Sequence, residues 1–142
     1  MAEWELADTN THQDHVIAHV IGASVLGYFT WDETAYLLLD IGFIWNIYLD
    51  GEMGLVPQSQ AVNELPSDDA LKKEIGQDVD AITMGLDQSV LRAISVPGFS
   101  SPIQTIQFFV RDNLRRLVLA CEEGTLVVET SLNDGEVKVY EL

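Results

Sequence analysis

The run Ala35-Tyr36-Leu37-Leu38-Leu39 constrains the fold more than any other stretch of the chain. Read as a strand, it sends Ala35, Leu37 and Leu39 to one side and Tyr36 and Leu38 to the other, so both of its faces are apolar. Such a strand must be covered twice, by layers of the same chain or by a second copy. With Trp31, Trp45, Tyr36 and Tyr48 close by, the segment predicts a homo-oligomer, most simply a homodimer. The surrounding region, 23–49, is rich in aromatic and β-branched residues and is broken by turn chemistry at 30–34 and 39–42, which predicts three strands. In the third, Phe43, Trp45, Ile47 and Leu49 alternate with Ile44, Asn46, Tyr48 and Asp50.

The C-terminal part alternates more cleanly. Runs at 103–110, 114–121, 125–131 and 136–141 are separated by Arg-Asp-Asn, Glu-Glu-Gly and Asn-Asp-Gly, and predict a four-strand antiparallel meander with one wet face. A further strand is expected at 90–96. Between the two regions, residues 50–54 read as a turn and 57–66 as a polar connection. A helix is expected over about 67–85: Ser67 can cap it, Asp68 and Asp69 favour its N-terminal dipole, Leu71, Ile75, Val79 and Ile82 recur at helical spacing, and Gly85 can end it. The predicted class is α+β in a single domain, 1–142, with a mainly antiparallel sheet and at least one packed helix.

All three histidines lie in the stretch 11–21. As a strand, it would hold His15 and His19 about 13 Å apart, too far to share an ion. As a helix, it gathers His12, His15 and His19 within an arc of about 60°, opposite Val16, Ile17, Val20 and Ile21. Thr11 can cap that helix and Gly22 can stop it. We therefore expect a second short helix near 12–21, against the β propensity of its valines and isoleucines. His15 and His19, one turn apart, are the candidate ligands for a divalent transition metal. The intervening Val-Ile-Ala lacks the glutamate that the zinc-hydrolase pattern places there.

Seven basic and 23 acidic residues give a net charge of −16. Residues 1–71 carry 12 acidic and no basic side chains, and residues 72–142 carry 11 acidic and all seven basic ones. This balance argues against nucleic acid or an anionic membrane surface as partner, and leaves a basic protein partner open. The apolar run 16–31 is too short to cross a bilayer and includes His19 and Ser24. The N-terminus has acidic residues where a signal peptide has basic ones, and the lone Cys121 fits a reducing compartment, so the expected location is cytoplasmic. Arg111, Arg115 and Arg116 form the one concentrated positive patch. They either pair with nearby carboxylates or contact an anion or partner carboxylate.

Catalytic motifs do not assemble. Gly22-Ala23-Ser24-Val25-Leu26 lacks the second glycine of a nucleophile elbow, and the same region lacks the lysine of a phosphate loop. A non-enzymatic acidic interaction or regulatory domain of unknown partner therefore ranks first. A metal-binding protein or metal-dependent enzyme using the N-terminal histidines comes second, and an acidic inhibitor or immunity-like protein for a basic partner third.

Overall fold

The computed structural model describes residues 3–9, 11–31, 33–40, 44–49, 55–60, 69–85, 91, 94–99 and 101–142, with 12, 48, 49, 55–60 and 83 described by their backbone alone. In chain order the elements are β1 (Glu5–Ala7), α1 (Thr11–Val20), β2 (Val25–Trp31), β3 (Thr34–Leu39), β4 (Ile44–Leu49), β5 (Leu55–Gln60), α2 (Asp69–Thr83), β6 (Ile103–Arg111), β7 (Leu114–Cys121), β8 (Thr125–Ser131) and β9 (Val137–Glu141). They build an α+β fold with two antiparallel sheets, ordered β2-β3-β4-β5 and β1-β6-β7-β8-β9.

The two sheets face each other across one apolar core. Val25, Ala35, Leu37, Trp45 and Ile47 come from the first sheet, and Ile106, Phe108, Leu117, Leu119, Leu126 and Val128 from the second. The opposite side of β3 is covered as well. Tyr36 and Leu38, with Phe29 and Ile44, meet Leu71, Ile75, Val79 and Ile82 of α2. Phe29 and Tyr36 stack there with ring centroids 4.7 Å apart. Both apolar faces of β3 are thus satisfied within the chain, which removes the burial argument that suggested a homodimer.

The meander forms within one residue of the expected boundaries, and its hairpins explain why. Asp112 takes φ 53° and Gly135 φ 71°, the left-handed backbone that tight antiparallel turns require. α1 forms despite its β-branched residues, because its buried stripe repays the propensity cost: Val20 is fully buried and Val16 and Ile17 pack on the inter-sheet core. The stripe differs from the expected one at two positions. Ile21 is 41% exposed and Gln13 only 3% exposed, so the arc runs 13, 16, 17, 20, at the spacing i, i+3, i+4, i+7. Thr11 is the first helical residue rather than the cap, and the Thr9 hydroxyl donates to the Asp14 carboxylate beside it. Gly22, at φ 91°, ends α1 as expected, and its N–H donates to the Ile103 carbonyl at 2.9 Å. Gly85, at φ 72°, closes α2 in the same way.

Two strands were not anticipated. β1 adds to β6 through Glu5–Val110, Leu6–Phe109 and Ala7–Phe108. β5 falls in the stretch read as a polar connection, and its Pro57 is tolerated because β5 is the edge of its sheet. The expected helix cap at Ser67 and Asp68 and the expected turn at 50–54 lie outside the described residues, as does part of the expected strand 90–96. Within that last segment, Ser95 makes an isolated antiparallel bridge with Tyr28.

Candidate functional site

The arginines of the β6–β7 hairpin separate into three roles. Trp4, just before β1, lies against two of them: the Arg116 guanidinium carbon is 4.0 Å from its ring centroid and that of Arg111 is 4.6 Å. Antiparallel register sets this up, because Phe109 faces Arg116 and Leu6 faces Phe109, which brings the start of β1 beside the two arginines. Arg116 also donates from Nε and Nη2 to Glu129 Oε1, at 3.1 and 2.9 Å, across the β7–β8 pair. Tyr140 on β9 donates its hydroxyl to the same oxygen at 3.2 Å. Arg115 instead gives Nη1 to the carbonyls of Asp112 and Leu114, both at 2.9 Å, and so holds the hairpin turn. The three side chains do not converge on one point. Arg116 makes the carboxylate pair expected of this patch, Arg115 serves the turn, and Arg111 stacks on Trp4.

His15 and His19 both sit on the exposed side of α1, one turn apart. Among the described residues, no three His, Cys, Asp or Glu side chains are grouped so as to hold a metal ion. Cys121 is buried on the inter-sheet core, and burial pushes its thiol pKa up, which keeps it in the unreactive protonated form. No helix among the described residues is long and apolar enough to cross a membrane.

A groove runs between the two sheets on the side where β2 and β9 are both edge strands. Tyr28, Phe29 and Thr30 line one wall and Val137, Lys138 and Val139 the other, around a volume of about 490 Å³. It continues into a second hollow of about 340 Å³ bordered by Glu33, Asp134 and Glu136. The β2–β3 and β8–β9 turns meet there: a Cβ on Gly135 would stand 3.1 Å from Glu33 Oε2. The sequence held no signal for this groove, since it depends on which strands end up at the sheet edges. Comparison with protein-family descriptions, with curated proteins and with solved structures returns no match.

Two tyrosines near these features titrate late. Burial, reinforced by Glu141, raises the Tyr28 pKa above 10.0. Burial raises that of Tyr140 too, helped by Glu129 and opposed by Arg116. A raised folded-state pKa means that the unfolded chain ionises first. The stability these phenols contribute is complete below about pH 10 and is lost as pH rises through the folded values. Urea midpoints should therefore fall above about pH 10, with part of the phenolate absorbance appearing only on unfolding. A midpoint flat through that range would show that both hydroxyls titrate normally.

Proposed function

We propose that this chain is a non-enzymatic interaction domain whose acidic surface engages a basic protein partner, in a cytoplasmic setting. The observation that supports this reading is how little of its charge is compensated by ion pairs among the described residues. Between described residues a single salt bridge forms, Arg116 to Glu129, while Glu3, Glu5, Asp8, Asp14, Glu74 and Asp80 are all exposed. Like charges on a compact body repel more than on an expanded chain, and a basic partner relieves that repulsion on binding. An inhibitor or immunity-like role is one form of the same reading.

The melting temperature should rise between low salt and about 0.15 M sodium chloride, where the Debye length is roughly 8 Å. A flat or falling response would mean that the carboxylates are already compensated, and the electrostatic motive for a basic partner would be gone. Sedimentation at micromolar protein reads the oligomeric state separately, since the apolar strand that suggested a homodimer is covered inside the chain.

A second reading, a divalent transition metal at His15 and His19, rests on the exposure of both side chains one turn apart on α1. Calorimetric titration with zinc or nickel tests it. Heat that persists in a His15→Ala, His19→Ala double variant, or no heat at all, removes the site.

A further inference from the structure

We infer that the open edge of β9, facing β2 across the groove, is a β-addition site for an extended basic peptide of a partner protein. The inference rests on the basic-partner reading above and assigns it a place. Hydrogen-bond direction along the two edge strands carries the argument.

In an antiparallel ladder, residues alternate between pointing their N–H and C=O at the neighbouring strand and pointing them away. Leu142 N–H donates to the Thr125 carbonyl at 3.0 Å, so positions 142, 140 and 138 turn toward β8. Val137 and Val139 therefore turn their backbone groups outward, into the groove. On the facing strand, Tyr28 and Ser95 exchange both backbone hydrogen bonds at 2.8 Å, which shows that Tyr28, and by alternation Thr30, points away from β3. Ser95 occupies the Tyr28 position. Among the described residues, no backbone group pairs with the outward sides of Thr30, Val137 or Val139. The chain itself thus uses strand addition at one position of the β2 edge, and among the described residues the next outward position of β2 and those at Val137 and Val139 of β9 are unpaired. An added peptide would take its affinity from main-chain bonds to β9 and set one row of side chains into the groove.

Charge selects the occupant. Glu33, Asp134 and Glu136 border the far end of the groove, where no cation lines the wall among the described residues, and Lys138 is the one described cation along the remainder. A second copy would bring the same three carboxylates, and a net charge of −16, against themselves. Nucleic acid would fare no better. A peptide alternating lysine or arginine with apolar residues places its cations at the carboxylates and its apolar row against the partly buried Tyr28 and Val139.

The experiment uses the full chain and a short fluorescent peptide alternating valine with lysine, followed by anisotropy at low salt. Val139→Pro removes an outward N–H without touching the bonds to β8, which an edge strand tolerates. Binding should weaken roughly tenfold, about 1.4 kcal/mol, in Val139→Pro, and likewise for a peptide N-methylated on the pairing edge, since each removes a ladder hydrogen bond. The N-methylated peptide gives the same answer without altering the protein, should the proline variant misfold. Glu33→Gln with Glu136→Gln should weaken binding similarly, and Glu74→Gln with Asp80→Asn on α2 should not. If the proline variant and the methylated peptide bind normally and the α2 variants weaken binding as much as the groove variants, the edge is not the site, although the basic-partner reading survives. If the peptide does not bind at all at low salt, both fall. A dimer in sedimentation that Val139→Pro abolishes would assign the edge to a second copy instead.

Discussion

Replacing Trp45 by alanine should lower stability by about 3–5 kcal/mol, the range for truncating a large aromatic side chain in a packed core. Trp45 has no solvent exposure and sits in the core between the sheets, where Leu37 is its cross-strand neighbour on β3. Alanine at this point would leave a void that both sheets line. Each sheet is held in shape by its own ladder, so the void has little means of collapsing. Domains are stable by roughly 5–15 kcal/mol in total, and a loss of this size brings the variant close to unfolding at ambient temperature. Trp45→Phe should behave differently. The indole Nε1 is buried with no hydrogen-bond partner among the described residues, so phenylalanine gives up apolar contact but also removes a donor whose desolvation costs about 1–3 kcal/mol. Its loss should be less than half that of the alanine variant. Urea denaturation measures both. An alanine loss below about 1 kcal/mol, or equal losses for the two variants, would show that Trp45 is not the centre of the core.

The parts of the fold legible in the sequence are those where local chemistry and burial agree. In β7, Leu117 and Leu119 alternate with half-exposed neighbours, in β8 Leu126 and Val128 face the core although Val127 between them is buried too, and the turns of the meander contain residues that accept left-handed backbone. In α2, the period of Leu71, Ile75, Val79 and Ile82 is the surface that meets Tyr36 and Leu38. β1 and β5 lacked such agreement: one is three residues long, and the other contains proline and polar residues and is a strand by virtue of its partner. At α1 amphipathic spacing outweighed a β propensity that pointed the wrong way, yet the spacing alone placed Ile21 on the buried arc and left Gln13 off it. The functional surfaces were less legible. That Arg111 and Arg116 are close together is plain from the chain, but the Trp4 ring against them comes from the pairing of β1 with β6. The groove depends on β2 and β9 being left as edges on the same side, a consequence of strand order that no local pattern encodes.

Gly27→Ala should cost about 1–3 kcal/mol, although glycine in a strand is ordinarily replaced by alanine with a gain in stability. A Cβ at this position would lie 2.3 Å from Ile94 Cγ2, and 3.3 Å from both Ile82 Cδ1 and the Ser95 carbonyl oxygen. The segment it meets has little freedom to retreat. The Ile94 N–H donates to the buried Asp78 carboxylate at 2.8 Å, and Ser95 is fastened to Tyr28 by two backbone bonds. Ile94 is itself buried and β-branched, so rotation of its side chain would drive another carbon into α2 or β2. The irregular register of β2 between Val25 and Gly27 falls at this close approach, where a strand with a side chain would hold the segment 94–96 away from the sheet. A double-mutant cycle isolates the contact. Ile94→Ala alone loses core burial, but in that background the added methyl group at position 27 has room, so Gly27→Ala should become nearly neutral and the coupling energy should exceed about 1 kcal/mol. If Gly27→Ala changes stability by less than about 0.5 kcal/mol, or if the two substitutions simply add, Ile94 is not held against β2 in the way this packing requires.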